Sequence, residues 1–444
     1  MSQFDLLASK RFLPLFSTQF LGALNDNIYK NALVIFITFT LADQTTIESS
    51  ILVILAGGIF ILPYFLFSAT AGQIADKFEK SLLIQRIKLL EILIMGLAVV
   101  GFVTQNLLML MTVLFFMGMQ STFFGPLKYG ILPQHLKFHE LTGGNGLVQM
   151  GTYIAILGGT IIGGALIALN NYGIVIVSVI VLGVAFSGWV SSLSIPRARA
   201  ADESLKVDWN FIYQTFHLLR YIVSEKGIFA AIIAISWFWF IGATYLSLVP
   251  TYTRDYLMGD ELVTTALLTA FSIGIGSGSL MCERLSGGKI EPGLVPIGAM
   301  GLTVFAVDLF LMGSPLVMAA PLPEAITLLE FLKIPIHWRV LFDLVCIGLF
   351  GGIYIVPLYA MVQHRASVQL RARVIAATNI LNALFMVTSA IIVIALIKLA
   401  FSIPEIYLLV GILNMMITGA IFMKFPEYPE RLAAILSGFR RKSL

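Results

Sequence analysis

Within its first long apolar stretch the chain reads Gln19-Phe20-Leu21-Gly22-Ala23-Leu24-Asn25-Asp26-Asn27-Ile28-Tyr29-Lys30-Asn31, an acid, a base and three asparagines set among residues that avoid water. Asp26 and Lys30 stand four apart with the acid nearer the N-terminus, the spacing and order that favour an ion pair on one helical face. The spacing predicts that they hold each other neutral. Asn27 and Asn31 repeat the interval on an adjacent face, so the polar surface is broad. Counting from Phe12 at about 1.5 Å per residue sets Asp26 roughly 21 Å along a helix, near the middle of a bilayer. An ionised carboxylate facing lipid there costs several kcal/mol, so Asp26 must face the interior or a water-filled cavity. The chemistry open to it is recognition of an ion or of a charged or zwitterionic group. A polar seam binding this helix to its neighbours is the competing reading.

Other segments hold residues able to join such a site. Gly125-Pro126-Leu127-Lys128-Tyr129-Gly130-Ile131-Leu132-Pro133 brings a lysine between two prolines. Lys128 suits an anionic phosphate as a point charge, and it equally suits snorkelling to an interface. Gln149 and Tyr153, four apart, extend the polar wall or bond within a core. Asn379 and Asn382 offer amides late in the chain. Arg339 and Asp343 form either a latch or an ordinary interfacial pair, and Asp308 stands alone near a segment end. Gly159 and Gly163 make a small-x-x-x-small face for close helix packing. In Gly72-Gln73-Ile74-Ala75-Asp76-Lys77-Phe78-Glu79-Lys80, the glycine permits close approach and the aspartate can pair with cations or backbone dipoles. These features suit a latch of Gly72, Asp76, Lys77 and Lys80. Glu283-Arg284-Leu285-Ser286-Gly287-Gly288-Lys289 is a looser copy, contributing Glu283 and Arg284; mere charged borders are the alternative for both loops.

The elements that must position these residues follow from composition. The 444 residues are 58% hydrophobic and 12% charged, where a soluble domain carries about 25% charge. Mean hydropathy is +0.93. Lipid is the solvent. Apolar runs predict helices near 12–42, 49–76, 80–104, 106–134, 140–169, 172–195, 227–256, 262–284, 291–313, 336–364, 370–399 and 403–425. About 20 residues suffice to cross a bilayer. The first run is too long for a secretory signal and is expected to be retained. Lys10, Arg11, Lys77, Lys80, Arg86, Lys88, Lys137, Arg197, Arg199, Arg284, Lys289, Arg365, Arg371, Arg373 and the Arg440-Arg441-Lys442 end fall on one side. Asp43, Glu48, Asp260 and Glu261 fall on the other. This asymmetry orients both termini to the cytoplasm and accounts for the net charge of +4 without a nucleic-acid partner.

The polar break at 197–226 reads as a cytoplasmic linker between an N-terminal six-helix bundle, 1–196, and a C-terminal one, 227–425, with a basic cytoplasmic tail over 426–444. The expected class is an all-α membrane protein of twelve transmembrane helices, similar to the repeat architecture of the major facilitators. A second break, 314–335, reads as an external loop with a short amphipathic stretch. Cys282 and Cys346 have no ligand-like spacing to each other or to the five histidines, so no disulfide framework, metal or other cofactor is indicated. Scattered histidines also argue against an integral-membrane enzyme.

The sequence resembles the bacterial lysophospholipid transporter family of the major facilitators. The resemblance rests on Gln19-Phe20-Leu21 with Asp26-Asn27, on Gly72-Gln73-Ile74-Ala75-Asp76, on Lys128-Tyr129-Gly130-Ile131-Leu132 with Asn145-Gly146-Leu147, and on Gly351-Gly352 with Val356-Pro357-Leu358. It implies flipping of lysophospholipids, chiefly lysophosphatidylethanolamine, from the outer to the inner leaflet of the cytoplasmic membrane, for a cytoplasmic acyltransferase/acyl-carrier-protein synthetase. The asparagine-rich run with Lys30 resembles the subgroup in which that enzyme is fused to the transporter. Gln149 and Asn382 stand where stand-alone members carry acids, so the charge network is rearranged. Asp26, Asn27, Lys30, Asn31, Lys128, Gln149, Tyr153, Asn379 and Asn382 are the expected substrate contacts. The alternative is a proton-coupled exporter or importer of another amphiphile, such as a drug or siderophore, with Asp26 as its proton site.

Overall fold

The computed structural model describes residues 3–39, 49–167, 169, 172–317 and 325–442. Among the described residues twelve helices run for 20 residues or more. They are α1 Leu13–Phe39, α2 Ser49–Lys77, α3 Lys80–Val103, α4 Leu107–His135, α5 Leu141–Ile167 and α6 Gly173–Ser192, then α8 Lys226–Tyr256, α9 Glu261–Ser286, α10 Leu294–Val317, α12 Pro335–Arg365, α13 Arg371–Lys398 and α14 Ile403–Lys424. Between and after them lie α7 Phe211–Ser224, the single turn α11 Leu328–Phe331 and α15 Glu427–Lys442. The nearest approach to a strand among the described residues is one isolated bridge, Gly259 to Ile326. Asp43 and Glu48, the end of the first expected helix and residues 318–324 of the expected external loop lie outside the described residues.

Backbone hydrogen bonds kept inside each helix let these segments live in lipid. Their ends are fixed by capping: Glu79 accepts from the amides that open α3, Asn106 from Met109, and Asp260 from Val263. Ser402 and Glu405 form a capping box on α14, and Gly287, at φ 61°, closes α9 in the left-handed region that glycine enters without strain. Among the described residues ten helices are long and apolar enough by composition to span a membrane. The two long helices that fall short are α1 and α3, which carry the polar cluster described below.

The chain divides into two compact units. The first holds Met1–Phe138, Ile154–Glu225 and Gln363–Ala383; the second holds His139–Tyr153, Lys226–Val362 and Leu384–Leu444. In the first, Ile28, Tyr29, Leu33 and Phe36 of α1 pack with Ile94 and Phe102 of α3, Leu114 of α4 and Val181 of α6. The Tyr29 hydroxyl donates to the Leu110 carbonyl at 2.8 Å. In the second, Trp237 Nε1 donates to Asn414, whose own amide nitrogen donates to the Ala299 carbonyl and to Thr303.

Both the linker and the tail contain helix. In the linker α7 buries Leu218 and Ile222 and leaves Ile212, Tyr213 and Phe216 exposed. The tail is helical too, as α15, which Arg431 ties to Glu291.

Candidate functional site

In the first unit α1, α3 and α4 bring together polar groups that the surrounding sequence would exclude. Glu91 lies at its centre. It accepts from Lys88 at 2.6 Å, from Asn25 Nδ2 at 2.9 Å and from Gln120 Nε2 at 2.9 Å. The Lys88 and Glu91 side chains are 1% and 3% exposed. Beside this core, Asp26 accepts from the Ser121 hydroxyl at 2.7 Å, and Ser121 also reaches Gln120. The arrangement is a buried ion pair whose carboxylate accepts from three donors, with a second carboxylate at its half-buried edge.

Lys30 does not ion-pair with Asp26 within 4 Å, contrary to what their spacing predicts. Its ammonium sits over the Phe60 ring, 4.5 Å from the centroid, while Ser121 takes the carboxylate. Such a cation–ring contact is worth about 0.5–2 kcal/mol. Lys128 is likewise half-buried, its ammonium 4.6 Å from the Tyr129 ring centroid. Among the described residues neither ammonium has a carboxylate at ion-pair distance. The cluster therefore offers two cations resting on aromatic faces and one carboxylate held by a neutral hydroxyl.

The other expected residues divide between settings. Asn27 and Asn31 face α5: the Cβ of Asn27 packs where a Cβ on Gly159 would sit, and Asn31 donates to Thr160 at 3.1 Å. They also bond within α1, Asn27 to the Ala23 carbonyl and Asn31 to the Asn27 carbonyl. Asn379 lies against Gly125 of α4, with its amide nitrogen buried and without a hydrogen-bond partner among the described residues. Asn382 is buried one turn further along α13. Gln149 and Tyr153 are buried in the second unit, where Trp239 Nε1 donates to the Tyr359 hydroxyl. An apolar groove of about 170 Å³ lined by Ala71, Ile74, Leu83, Phe123 and Leu127, with Arg86 at its rim, lies elsewhere in the first unit and includes none of the cluster's polar groups.

The first loop is knit as a cap. Asp76 is fully buried and accepts from the amides of Ala372 at 3.1 Å and Arg373 at 3.2 Å, and from Arg373 Nε at 3.1 Å. It thus satisfies donors that the first turn of α13 would otherwise leave unpaired. Gly72 faces the same turn, and Lys80 donates to the Arg199 carbonyl. Lys77 rests 5.6 Å from the Phe78 ring centroid. Glu79 fastens the linker through the Ala198 amide at 2.7 Å. Burial raises its carboxyl, but the Ser81 hydroxyl and the amides of Ala198, Leu82 and Ser81 together bring it below the ordinary glutamate range. In the second unit Arg284 is exposed, the Glu283 carbonyl accepts from Gly288, and Thr142 donates to the Lys289 carbonyl at 3.1 Å.

Lys88, Glu91, Gln120 and Ser121 lie outside the expected contacts, and the charge pattern alone sets Lys88 at the cytoplasmic border. It instead lies about 12 Å into α3. The signal for it is present: a base and an acid three apart inside an apolar run, a closer spacing in the reverse order from that of Asp26 and Lys30.

Residues 15–390 match the model of the Major Facilitator Superfamily, and the chain belongs to that superfamily. It is a multi-pass integral membrane protein of twelve long helices among the described residues. Within the superfamily it is similar to proteins named Lysophospholipid transporter LplT. That of Klebsiella pneumoniae is 28% identical over 81% of each chain, and that of Pectobacterium carotovorum 26% identical over 82% of this chain and 81% of its own. Two solved structures share the fold. The human organic anion transporter MFSD10 has a TM-score of 0.69 at 13% identity, covering 92% of this chain and 98% of its own. The E. coli fucose:proton symporter FucP has a TM-score of 0.67 at 15% identity, covering 95% and 98%.

Proposed function

We propose that this protein carries lysophospholipids from the outer to the inner leaflet of a bacterial cytoplasmic membrane by alternating access, with both termini in the cytoplasm. The observation that carries the reading is the first-unit cluster: Lys30 and Lys128 with no carboxylate partner, beside Asp26, whose carboxylate is bonded only to a neutral hydroxyl among the described residues. A zwitterionic headgroup such as that of lysophosphatidylethanolamine supplies the two missing partners, phosphate for the lysines and ammonium for Asp26. Asn379 adds an amide donor, and Asn382, Gln149 and Tyr153 line the path. Asn27 and Asn31 act through the position of α1. The relatives named lysophospholipid transporters support the substrate class. The product then feeds a cytoplasmic acyltransferase/acyl-carrier-protein synthetase. Gly72, Asp76, Lys77 and Lys80, with Glu283 and Arg284, gate the exchange between the bundles 1–196 and 227–425.

Proteoliposomes loaded with fluorescent lysophosphatidylethanolamine test this directly. Wild-type protein is expected to move the lipid between leaflets, with Asp26→Asn and Lys30→Ala each slowing transfer at least tenfold. Absence of transfer by wild type overturns the reading. Transfer that depends on Asp26 but not on Lys30 overturns the phosphate role of the lysine.

A further inference from the structure

Helix α7 carries more apolar surface than its own unit covers. At about 100° per residue, Phe211, Leu218 and Ile222 share one face, and Ile212, Phe216 and Val223 fill roughly the next quarter turn. The first face is turned inward, with Leu218 and Ile222 buried. The second is bare: Ile212 is 57% and Phe216 70% exposed, and Trp209, just ahead of the Asn210 cap, is 71% exposed. Gln214, His217, Arg220 and Ser224 take the remaining side. The apolar arc is continuous, and only part of it meets protein.

Where α7 lies decides what meets the rest. Asp208, ahead of the cap, is tied to Gln73 of α2: its amide donates to Gln73 Oε1 at 2.9 Å, and Gln73 Nε2 donates to its carbonyl at 3.3 Å. Gln73 stands about 6 Å short of the end of α2, a helix long and apolar enough to cross a membrane. At its other end α7 passes through Glu225 into α8, a second such helix, which begins at Lys226. Both ends of α7 are therefore held at the mouths of membrane-crossing helices, so its roughly 21 Å run along the membrane surface at the depth of the headgroups. There the acyl boundary takes Ile212, Phe216 and Val223 out of water, while Tyr213 and Arg220, exposed at the margin of the arc, suit the glycerol and phosphate layer. A soluble protein would have to reach this face from within the headgroup layer.

We propose that α7 is an interfacial helix seated in the inner leaflet, with Ile212, Phe216 and Val223 at the acyl boundary and Arg220 at the lipid phosphates. Through Asp208 and Gln73 it anchors the foot of α2 to that leaflet. Naming the leaflet as the inner one rests on the orientation proposed above; the seat itself requires neither that orientation nor lysolipid transport.

Nitroxide scanning in lipid nanodiscs tests the seat. With Cys282 and Cys346 replaced by serine, single labels are attached to Ile212→Cys, Phe216→Cys and Val223→Cys, and on the other side to His217→Cys and Ser224→Cys. Collision rates are measured with oxygen, which concentrates in lipid, and with a water-soluble nickel chelate. The oxygen-to-nickel ratio is expected to be about tenfold higher at the first three positions than at the last two. Phe216→Glu alters an exposed residue and leaves Leu218 and Ile222 packed; it is expected to cut the ratio at position 212 severalfold. Free access of the chelate to 212, 216 and 223 would reveal an aqueous face open to a soluble partner, and shielding from both reagents a protein contact such as a second copy. Either result overturns the proposal. Because the ratio reads depth without substrate, it is decided separately from the transport assay.

Discussion

Lys88 and Glu91 show what a membrane interior demands of single residues. Each is desolvated at large cost, and the cost is offset because Glu91 also accepts from Asn25 and Gln120 while Lys88 lies 5.0 Å from the Phe124 ring centroid. Removing one partner strands the other charge. Lys88→Ala is expected to lower stability by about 3–5 kcal/mol, read as an earlier thermal unfolding of the detergent-solubilised protein, and Lys88→Met combined with Glu91→Gln to recover most of it. An unshifted melting curve for Lys88→Ala would show that the pair carries no such weight. Asp26 was legible from sequence because a lone acid in an apolar run has few explanations. Its partner was not, since Ser121 lies 95 residues away, and Lys30 meets a phenylalanine that no charge pattern singles out. The depth of Lys88 is hidden for a related reason: Lys80 and Arg86 precede it on α3, and a run of basic residues reads as a membrane border until depth is known.

At the scale of elements, glycines set how near the helices come. A Cβ on Gly159 would meet the Leu24 carbonyl at 2.6 Å and the Asn27 Cβ at 2.7 Å, and one on Gly352 would meet the Ser279 amide at 2.5 Å and the Ile275 carbonyl at 2.6 Å. Gly159→Val is expected to cost about 1–3 kcal/mol by forcing α1 from α5, whereas Gly58→Ala, with nothing within 4 Å of the added carbon, is expected to be neutral or slightly stabilising. Chemical denaturation of both variants in parallel separates packing from a general intolerance of side chains. Glu79 governs a different junction, that of α3 with the linker. Its carboxyl is held below its unfolded value, so its contribution is complete above the ordinary glutamate range and is lost as pH falls through the lowered folded value. Proteolysis of the linker near Ala198 should accelerate over that acidic window in wild type. In Glu79→Gln it should be faster at neutral pH and flatter with pH; identical profiles would remove Glu79 from this role. The twelve long helices were legible because run length alone reports them. Helix α7 was not, because Gln214, His217 and Arg220 interrupt its apolar residues and keep it too short to read as a membrane-crossing run, leaving only the four-residue spacing of the buried Leu218 and Ile222 to mark it.

For the whole molecule, alternation between two states requires contacts strong enough to hold one of them and few enough to be released together. Asp76 has that character: one buried carboxylate caps α13 through two amides and Arg373 Nε, and its own carbonyl accepts from Ala201 and Asp202 in the linker. Hydrogen bonds to a charged group contribute about 1.5–3 kcal/mol each. Asp76→Asn keeps the shape and one acceptor oxygen but removes the charge, so the cap weakens without a cavity. Loss of even about 1.4 kcal/mol moves a two-state equilibrium tenfold. With Cys282 and Cys346 replaced by serine and a single cysteine at the buried Ala198, a water-soluble maleimide reports opening at this face. Asp76→Asn is expected to raise its labelling rate about tenfold and to slow transport, with thermal stability changed far less than by Lys88→Ala. Equal labelling in the two proteins would mean that this cap holds α13 permanently, and the gate would then have to be sought in the second unit, where Thr142 and Lys289 make the corresponding link.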